Sequence, residues 1–148
     1  MQPRFRAPAI LAALSCSAAL AQAQPSGYTS YRARLTPVPV ETSTAASITG
    51  SGVVMATLTG TRLSVSGTFS GMKSAATIAQ VHFGAKGIRG PVEFDLMIEK
   101  APGGAISGTV TLTKVQIDSL KKGWFYVQIH ADKAPEGNLW GWLLPYEK

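Results

Sequence analysis

The stretch Gly123–Pro145, GWFYVQIHADKAPEGNLWGWLLP, decides how this chain folds, because two alternating runs flank a segment containing proline and glycine. Side chains alternate with a period of two along a strand. Trp124, Tyr126, Gln128 and His130 therefore share one face of the first run, and Phe125, Val127 and Ile129 share the other. Ala131–Gly137 reads as the connecting loop and Asn138–Leu144 as the returning strand, which makes the stretch a β-hairpin. A hairpin buries its apolar face only against further strands, and the same pattern recurs upstream.

Tyr28–Thr36 alternates as a strand and is stopped by Pro37 and Pro39, whereas Val40–Ser47 has no period and reads as a loop. Thr49–Thr59 and Arg62–Ser70 flank a Gly60-Thr61 turn and form a second hairpin. In Thr77–Phe83, Ala79, Val81 and Phe83 lie opposite Ile78, Gln80 and His82. In Val92–Ile98 the alternation predicts Val92, Phe94, Leu96 and Ile98 inward, with Glu93 and Asp95 outward; Ile106–Leu112 follows as another strand. One helix is expected over Lys114–Lys121. Thr113 and Gln116 have the spacing of a capping box, Lys121 and Lys122 complement the C-terminal end of the helix dipole, and Gly123 supplies a left-handed stop. The expected class is all-β: an antiparallel, Greek-key-like β-sandwich or partly closed barrel of about eight strands with one short helix.

Arg4 and Arg6, an apolar run from Ala7 to Leu20 and Ala21-Gln22-Ala23 follow the order of a secretory signal peptide, with cleavage expected after Ala23. That run is too short to span a bilayer as a helix, and no later run is long enough. The competing reading is a lipid anchor through Cys16, since Ala13-Leu14-Ser15-Cys16 loosely resembles a bacterial lipobox. Residues 24–148 then form a single domain, secreted or periplasmic. They hold no cysteine, so core packing rather than disulfides must stabilise it. The net charge of +6 falls to +4 without Arg4 and Arg6, and the remaining basic residues are scattered along the chain. Nucleic-acid binding would require a basic stripe interleaved with aromatics, so no nucleic-acid partner is expected.

Tyr31-Arg-Ala-Arg-Leu35, Gly50–Gly60 with Leu63–Gly67, Ala79-Gln-Val-His82 followed by Gly90-Pro91-Val92, and Gly108–Thr113 occur in an order that resembles the chordin-domain (CHRD) family. The most distinctive part is Tyr126-Val-Gln-Ile-His130 with Gly137-Asn138-Leu139 and Gly141 after it. The family occurs in animal chordins and in many secreted bacterial proteins, and this chain resembles the latter type. The resemblance implies a β-rich module without established enzymatic activity, similar in outline to the copper/zinc superoxide dismutase sandwich. Two positions depart from the family pattern. Gln80 stands where members commonly have the first histidine of His-x-His, and Gly137–Gly141 replaces a common Gly-x-Ile-Arg-Gly.

His82 and His130 are the only histidines and each lies toward the end of a strand. Two imidazoles on adjacent strands are a candidate site for copper or zinc, with Gln80 or Gln128 in support and Asp95, Asp132 or Glu136 to complete the set. The competing reading is that each histidine caps a sheet edge and bonds a loop backbone. Imidazoles more than about 5 Å apart cannot share one ion at metal–nitrogen distances near 2 Å. Trp124, Trp140 and Trp142 with Phe125 and Tyr126 are either core filling or a stacking platform for a sugar or another planar ligand. Glu93, Asp95 and Glu99 read as a solvated outer face rather than an acid–base pair. No Gly-x-Ser-x-Gly elbow and no phosphate-binding glycine loop occurs. The expected function is an exported, non-enzymatic β module that binds a protein or small ligand or gives structural support, without a required cofactor. The alternative is a periplasmic copper- or zinc-binding protein using His82 and His130.

Overall fold

Alternation of apolar and polar residues becomes eight strands and one helix in the computed structural model, which describes residues 28–147; the signal-like segment 1–23 and Cys16 lie outside the described residues. The strands are β1 (Tyr28–Pro37), β2 (Ser51–Thr59), β3 (Arg62–Ser70), β4 (Ala76–Phe83), β5 (Val92–Ile98), β6 (Gly104–Thr111), β7 (Phe125–Ala131) and β8 (Ala134–Trp142). A two-residue β9 (Leu144–Pro145) adds to β1. Every pairing is antiparallel, and the order β2-β3-β6-β5-β4-β7-β8-β1 closes through a β1–β2 ladder from Tyr28↔Thr59 to Leu35↔Gly52. The expected sandwich or partly closed barrel is thus a closed, Greek-key barrel, and closure removes the free sheet edges through which strands pair with other chains.

Closure is thin at two corners. Strands β5 and β6 meet only at Met97↔Ser107 and Ile98↔Ile106, and β1 and β8 only at Thr36↔Trp140 and Pro37↔Leu139. Between the corners the interior is filled by fully buried Tyr31, Leu35, Val54, Leu63, Val81, Ile106, Phe125, Ile129 and Leu139. Dense packing of this kind supplies the stability that a chain without disulfides needs. The helix α1 (Lys114–Lys121) bridges β6 and β7 across one end of the barrel and inserts Leu120 into the core. Its capping box forms as expected: Gln116 N–H donates to Thr113 Oγ1 and Thr113 N–H donates to Gln116 Oε1. Gly123 takes the left-handed conformation that ends it, with φ 71°. Among the described residues no helix is long and apolar enough to cross a membrane.

Two local expectations are corrected. Val92 is 47 % exposed rather than inward, because β4 and β5 slip at Val81/His82, so that His82 pairs Val92 while Val81 pairs Phe94. The expected loop Ala131–Gly137 is a tight turn at Asp132-Lys133 followed by a bulged strand. Ala131 pairs Ala134 and Ile129 pairs Leu139, so two residue steps on β7 face five on β8 and three residues of β8 are surplus. Pro135 cannot donate to a ladder, and Gly137 has φ 131°, so the surplus residues leave the sheet plane and fold over the outer face of β7.

Candidate functional site

The outer face of the β5-β4-β7-β8 sheet collects the chemistry. Ala79 and Val81 point into the barrel from β4, and Val127 and Ile129 from β7, so alternation turns Gln80, His82, Tyr126, Gln128 and His130 outward. Leu139 and Gly141 likewise leave Trp140 and Trp142 on the outer side of β8. Outward here does not mean solvated. Tyr126 is 1 % exposed, Gln128 3 % and His82 8 %.

Two flaps cover them. The connection 84–91 between β4 and β5 lies over one end, where Gly84 N–H donates to Trp124 O at 2.7 Å and Trp142 Nε1–H donates to Gly84 O at 3.0 Å. Gly90 N–H donates to Tyr126 Oη at 3.0 Å, and a side chain at Gly90 would collide with the carbonyl of Phe83, so only glycine fits. The β8 bulge covers the other end: Gln128 Nε2–H donates to Glu136 O at 3.0 Å, and the Arg89 guanidinium reaches the same carbonyl at 2.9 Å. A Cβ at Gly137 would strike the Gln128 amide, which explains that glycine as well.

Under these flaps the two histidines come together, as their places on neighbouring strands suggested. His82 stacks on Tyr126 with centroids 5.0 Å apart and planes 14° from parallel, and the centroids of His82 and His130 are 6.3 Å apart. Their tautomers follow from their partners. His82 Nδ1 lies 3.0 Å from Gly90 O and His130 Nδ1 2.7 Å from Pro135 O. A carbonyl only accepts, so each Nδ1 carries a proton, and in the neutral ring the lone pair is then at Nε2. His130 Nε2 faces the Gln128 amide nitrogen at 3.4 Å, whereas His82 Nε2 is buried without a hydrogen-bond partner. Burial, with smaller contributions from His130 and Arg89, holds the His82 imidazole below its ordinary value of 6.5 against the opposing pull of the Gly90 carbonyl.

The other candidates separate from this cluster. Gln80 sits beside His82 on the same face, but its amide donates to Asp95 Oδ1 at 2.8 Å. Glu93 accepts from Gln116 Nε2 at 2.9 Å and so braces the helix, and Glu99 accepts from Ala105 N–H. These carboxylates hold structure and do not converge on one another. Among the described residues no group of three His, Cys, Asp or Glu is placed to hold a metal ion, so Asp95, Asp132 and Glu136 do not complete a set with the histidines. Trp140 and Trp142 are half-buried on the outer face, 4.8 Å apart and edge to face, and each contacts Tyr126, at 6.0 Å and 4.9 Å respectively. They neither fill the barrel nor stand free. Trp124, 39 % exposed, packs instead against Phe83.

Of the residues that order the site, the sequence reading named Tyr126 among the aromatics and Gln128 as a support for the histidines, but it did not single out Arg89. Alternation along β7 already put Tyr126 and Gln128 on the face of His130, but nothing local announced that a loop and a bulge would bury that face.

Neither the comparison with curated proteins nor that with solved structures returned a match. The family comparison did: the profile described as CHRD domain matches residues 31–143, which takes in β2 to β8, all of β1 but its first three residues, and both flaps. The barrel and the face it carries thus lie within one matched unit, and the chain belongs to the CHRD domain family.

Proposed function

We propose that the chain is an exported, non-enzymatic module that works by binding, through the outer face of the β5-β4-β7-β8 sheet. One observation carries this reading: His82, Tyr126, Trp142 and Trp140 form a continuous run of ring contacts outside the barrel, where a purely structural sheet would present solvated polar side chains. Trp142, half-buried and tied to Gly84 O through its indole N–H, and Trp140, packed edge to face against it, suit recognition, because little side-chain freedom remains to be lost on binding. The absence of catalysis is supported by the structural employment of Glu93, Asp95 and Glu99. Export is supported by the order of charge, apolar run and small residues in 1–23.

Tryptophan emission reports on this face directly. Titration with a panel of soluble glycans is expected to quench the wild type and to leave Trp140→Ala/Trp142→Ala unchanged, with circular dichroism confirming the fold. Equal quenching in the variant overturns the assignment. N-terminal sequencing of the exported protein is expected to begin at Gln24; an acylated Cys16 there replaces free secretion with anchoring.

A second reading is favoured by the histidine tautomers. Metal-binding imidazoles ordinarily donate their second nitrogen to a carbonyl or carboxylate, and His82 and His130 both do so, leaving two Nε2 lone pairs under one cover. The ring centres lie 6.3 Å apart, beyond the separation of about 5 Å within which one ion at metal–nitrogen distances near 2 Å is shared, so this reading requires the two side chains to draw together on binding. Calorimetry with copper and zinc on the wild type and on His82→Ala/His130→Ala tests this; unchanged affinity in the double variant removes the site. Gln80→His sets a third imidazole beside His82 and is expected to raise copper affinity about tenfold or more.

A further inference from the structure

Beside the ring cluster, at the thin corner of the barrel, lies a groove that the sequence did not reveal. Tyr31, Ala33 and Leu35 of β1 are fully buried, so alternation sends Arg32, Arg34 and Thr36 outward, and all three are exposed. β1 pairs β8 at Thr36↔Trp140 and Pro37↔Leu139 and pairs β9 at Arg32↔Leu144 and Tyr31↔Pro145; between these ladders the backbones stay close, since a side chain at Gly141 would strike the Arg34 carbonyl. The hollow on the outer surface there is about 580 Å³, lined by Arg32, Arg34 and Lys86 together with Trp140, Trp142 and Tyr146. Arg32 lies over the Tyr146 ring at 5.5 Å and Arg89 over the Trp140 ring at 5.8 Å, which keeps guanidinium groups beside both aromatic surfaces. Among the described residues every ionisable side chain lining the groove, tyrosine apart, is a cation.

A second hollow of about 460 Å³ shares Arg32 and Arg34 and runs across β2 and β3, where the hydroxyls of Ser51, Thr68 and Ser70 line it, again without a carboxylate. The two hollows form one track across β1 with aromatic rings at one end, guanidinium groups in the middle and hydroxyls at the other.

We infer that this track binds an oligosaccharide carrying carboxylate or sulfate groups. The chemistry matches part by part. The apolar face of a pyranose ring packs on an indole, guanidinium forks take planar oxyanions in a bidentate manner, and serine and threonine exchange hydrogen bonds with sugar hydroxyls. Single-stranded nucleic acid, the other polyanion such a track suggests, is bound by bases stacking on successive aromatic platforms. Here the two indoles meet at 65° and Trp142 is tied to the 84–91 connection through its N–H, so they form a corner rather than a stack. The inference rests on the binding-module reading and gives it a ligand class and a different set of anchoring residues; the histidines take no part in it.

The test is fluorescence and calorimetric titration of the full exported protein at low and at physiological salt. The probes are oligogalacturonate, a heparin fragment, a neutral galactose oligomer and a single-stranded oligonucleotide. Either acidic glycan is expected to bind, more weakly as salt rises, and to lose at least tenfold in affinity in Arg32→Ala/Arg34→Ala; the glycan bound more tightly identifies carboxylate or sulfate as the source. Arg32→Lys/Arg34→Lys is expected to restore only part of the loss, because lysine keeps the charge without the fork. Both arginines are exposed on the outside of the barrel, so the variants should fold, and circular dichroism checks that they do. Binding of the neutral oligomer that depends on Trp140 and ignores the arginine pair overturns the inference and leaves the binding module standing. An oligonucleotide bound as tightly as the acidic glycans overturns it in favour of general polyanion recognition. No binding of either acidic glycan overturns it outright.

Discussion

Strands β3 and β7 are built from the same alternation and end in different circumstances. Along β3, Leu63, Val65 and Phe69 are buried while Arg62, Ser64, Ser66 and Ser70 are exposed, as befits a strand with the core on one side and water on the other. Along β7 every residue except His130 is buried, on both faces. The inner side chains Phe125, Val127, Ile129 and Ala131 do on β7 what Leu63 and Val65 do on β3. The outer side chains Tyr126 and Gln128 are buried by the 84–91 connection and the β8 bulge, which reach them through hydrogen bonds rather than apolar packing. A sheet face that is covered, polar and aromatic at once is a specialised surface, and this difference sets the face of β7 apart from the rest of the barrel.

The comparison can be broken in three places. Inside the barrel the two strands should behave alike: Leu63→Ala and Ile129→Ala each leave a cavity at a fully buried position and should each cost about 2–5 kcal/mol in denaturant unfolding. A marked asymmetry would mean that one sheet carries the core. Outside it they should differ. Tyr126→Phe removes the hydroxyl that accepts the Gly90 N–H and should cost about 1 kcal/mol, while Ser64→Ala, on the exposed face of β3, should stay within about 0.5 kcal/mol of the wild type. Equal effects would show that the flap is not held by this contact.

The third is a pH effect confined to the covered face. With its folded-state pKa held below 6.5, His82 binds fewer protons in the folded chain than in the unfolded chain just below that pH. Stability should therefore be complete above about pH 6.5 and fall as the solution is acidified through the window beneath it. In His82→Gln that part of the pH dependence should vanish from thermal melts, and its persistence would assign it to another group.

Much of this was legible in the chain. The strands and their faces followed from alternation, and the helix followed from the Thr113/Gln116 capping box and the Gly123 stop, because these are local signals that tertiary packing did not override. That His82 and His130 share the outer face of neighbouring strands was legible too, but the register, which pairs them with Tyr126 and Ile78 and leaves their ring centres 6.3 Å apart, was not. The bulge was not: Pro135 and Gly137 signal a break in a ladder, but a loop and an excursion from a strand carry the same residues. The groove was hidden for a different reason. Arg32 and Arg34 look scattered along the sequence, and only closure of the barrel sets them beside Trp140 and Trp142, more than a hundred residues later.

The three surplus residues of β8 also bear on how such a face can be acquired or lost. They project outward between pairings that continue on either side, at Ala131↔Ala134 and Ile129↔Leu139, so the ladder does not depend on them. A short insertion or deletion at this single point would change how His130 and Gln128 are sheltered while leaving the scaffold beneath in register. Descent within the family can therefore remodel the covered face by small indels in one hairpin, with no compensating change in the barrel interior.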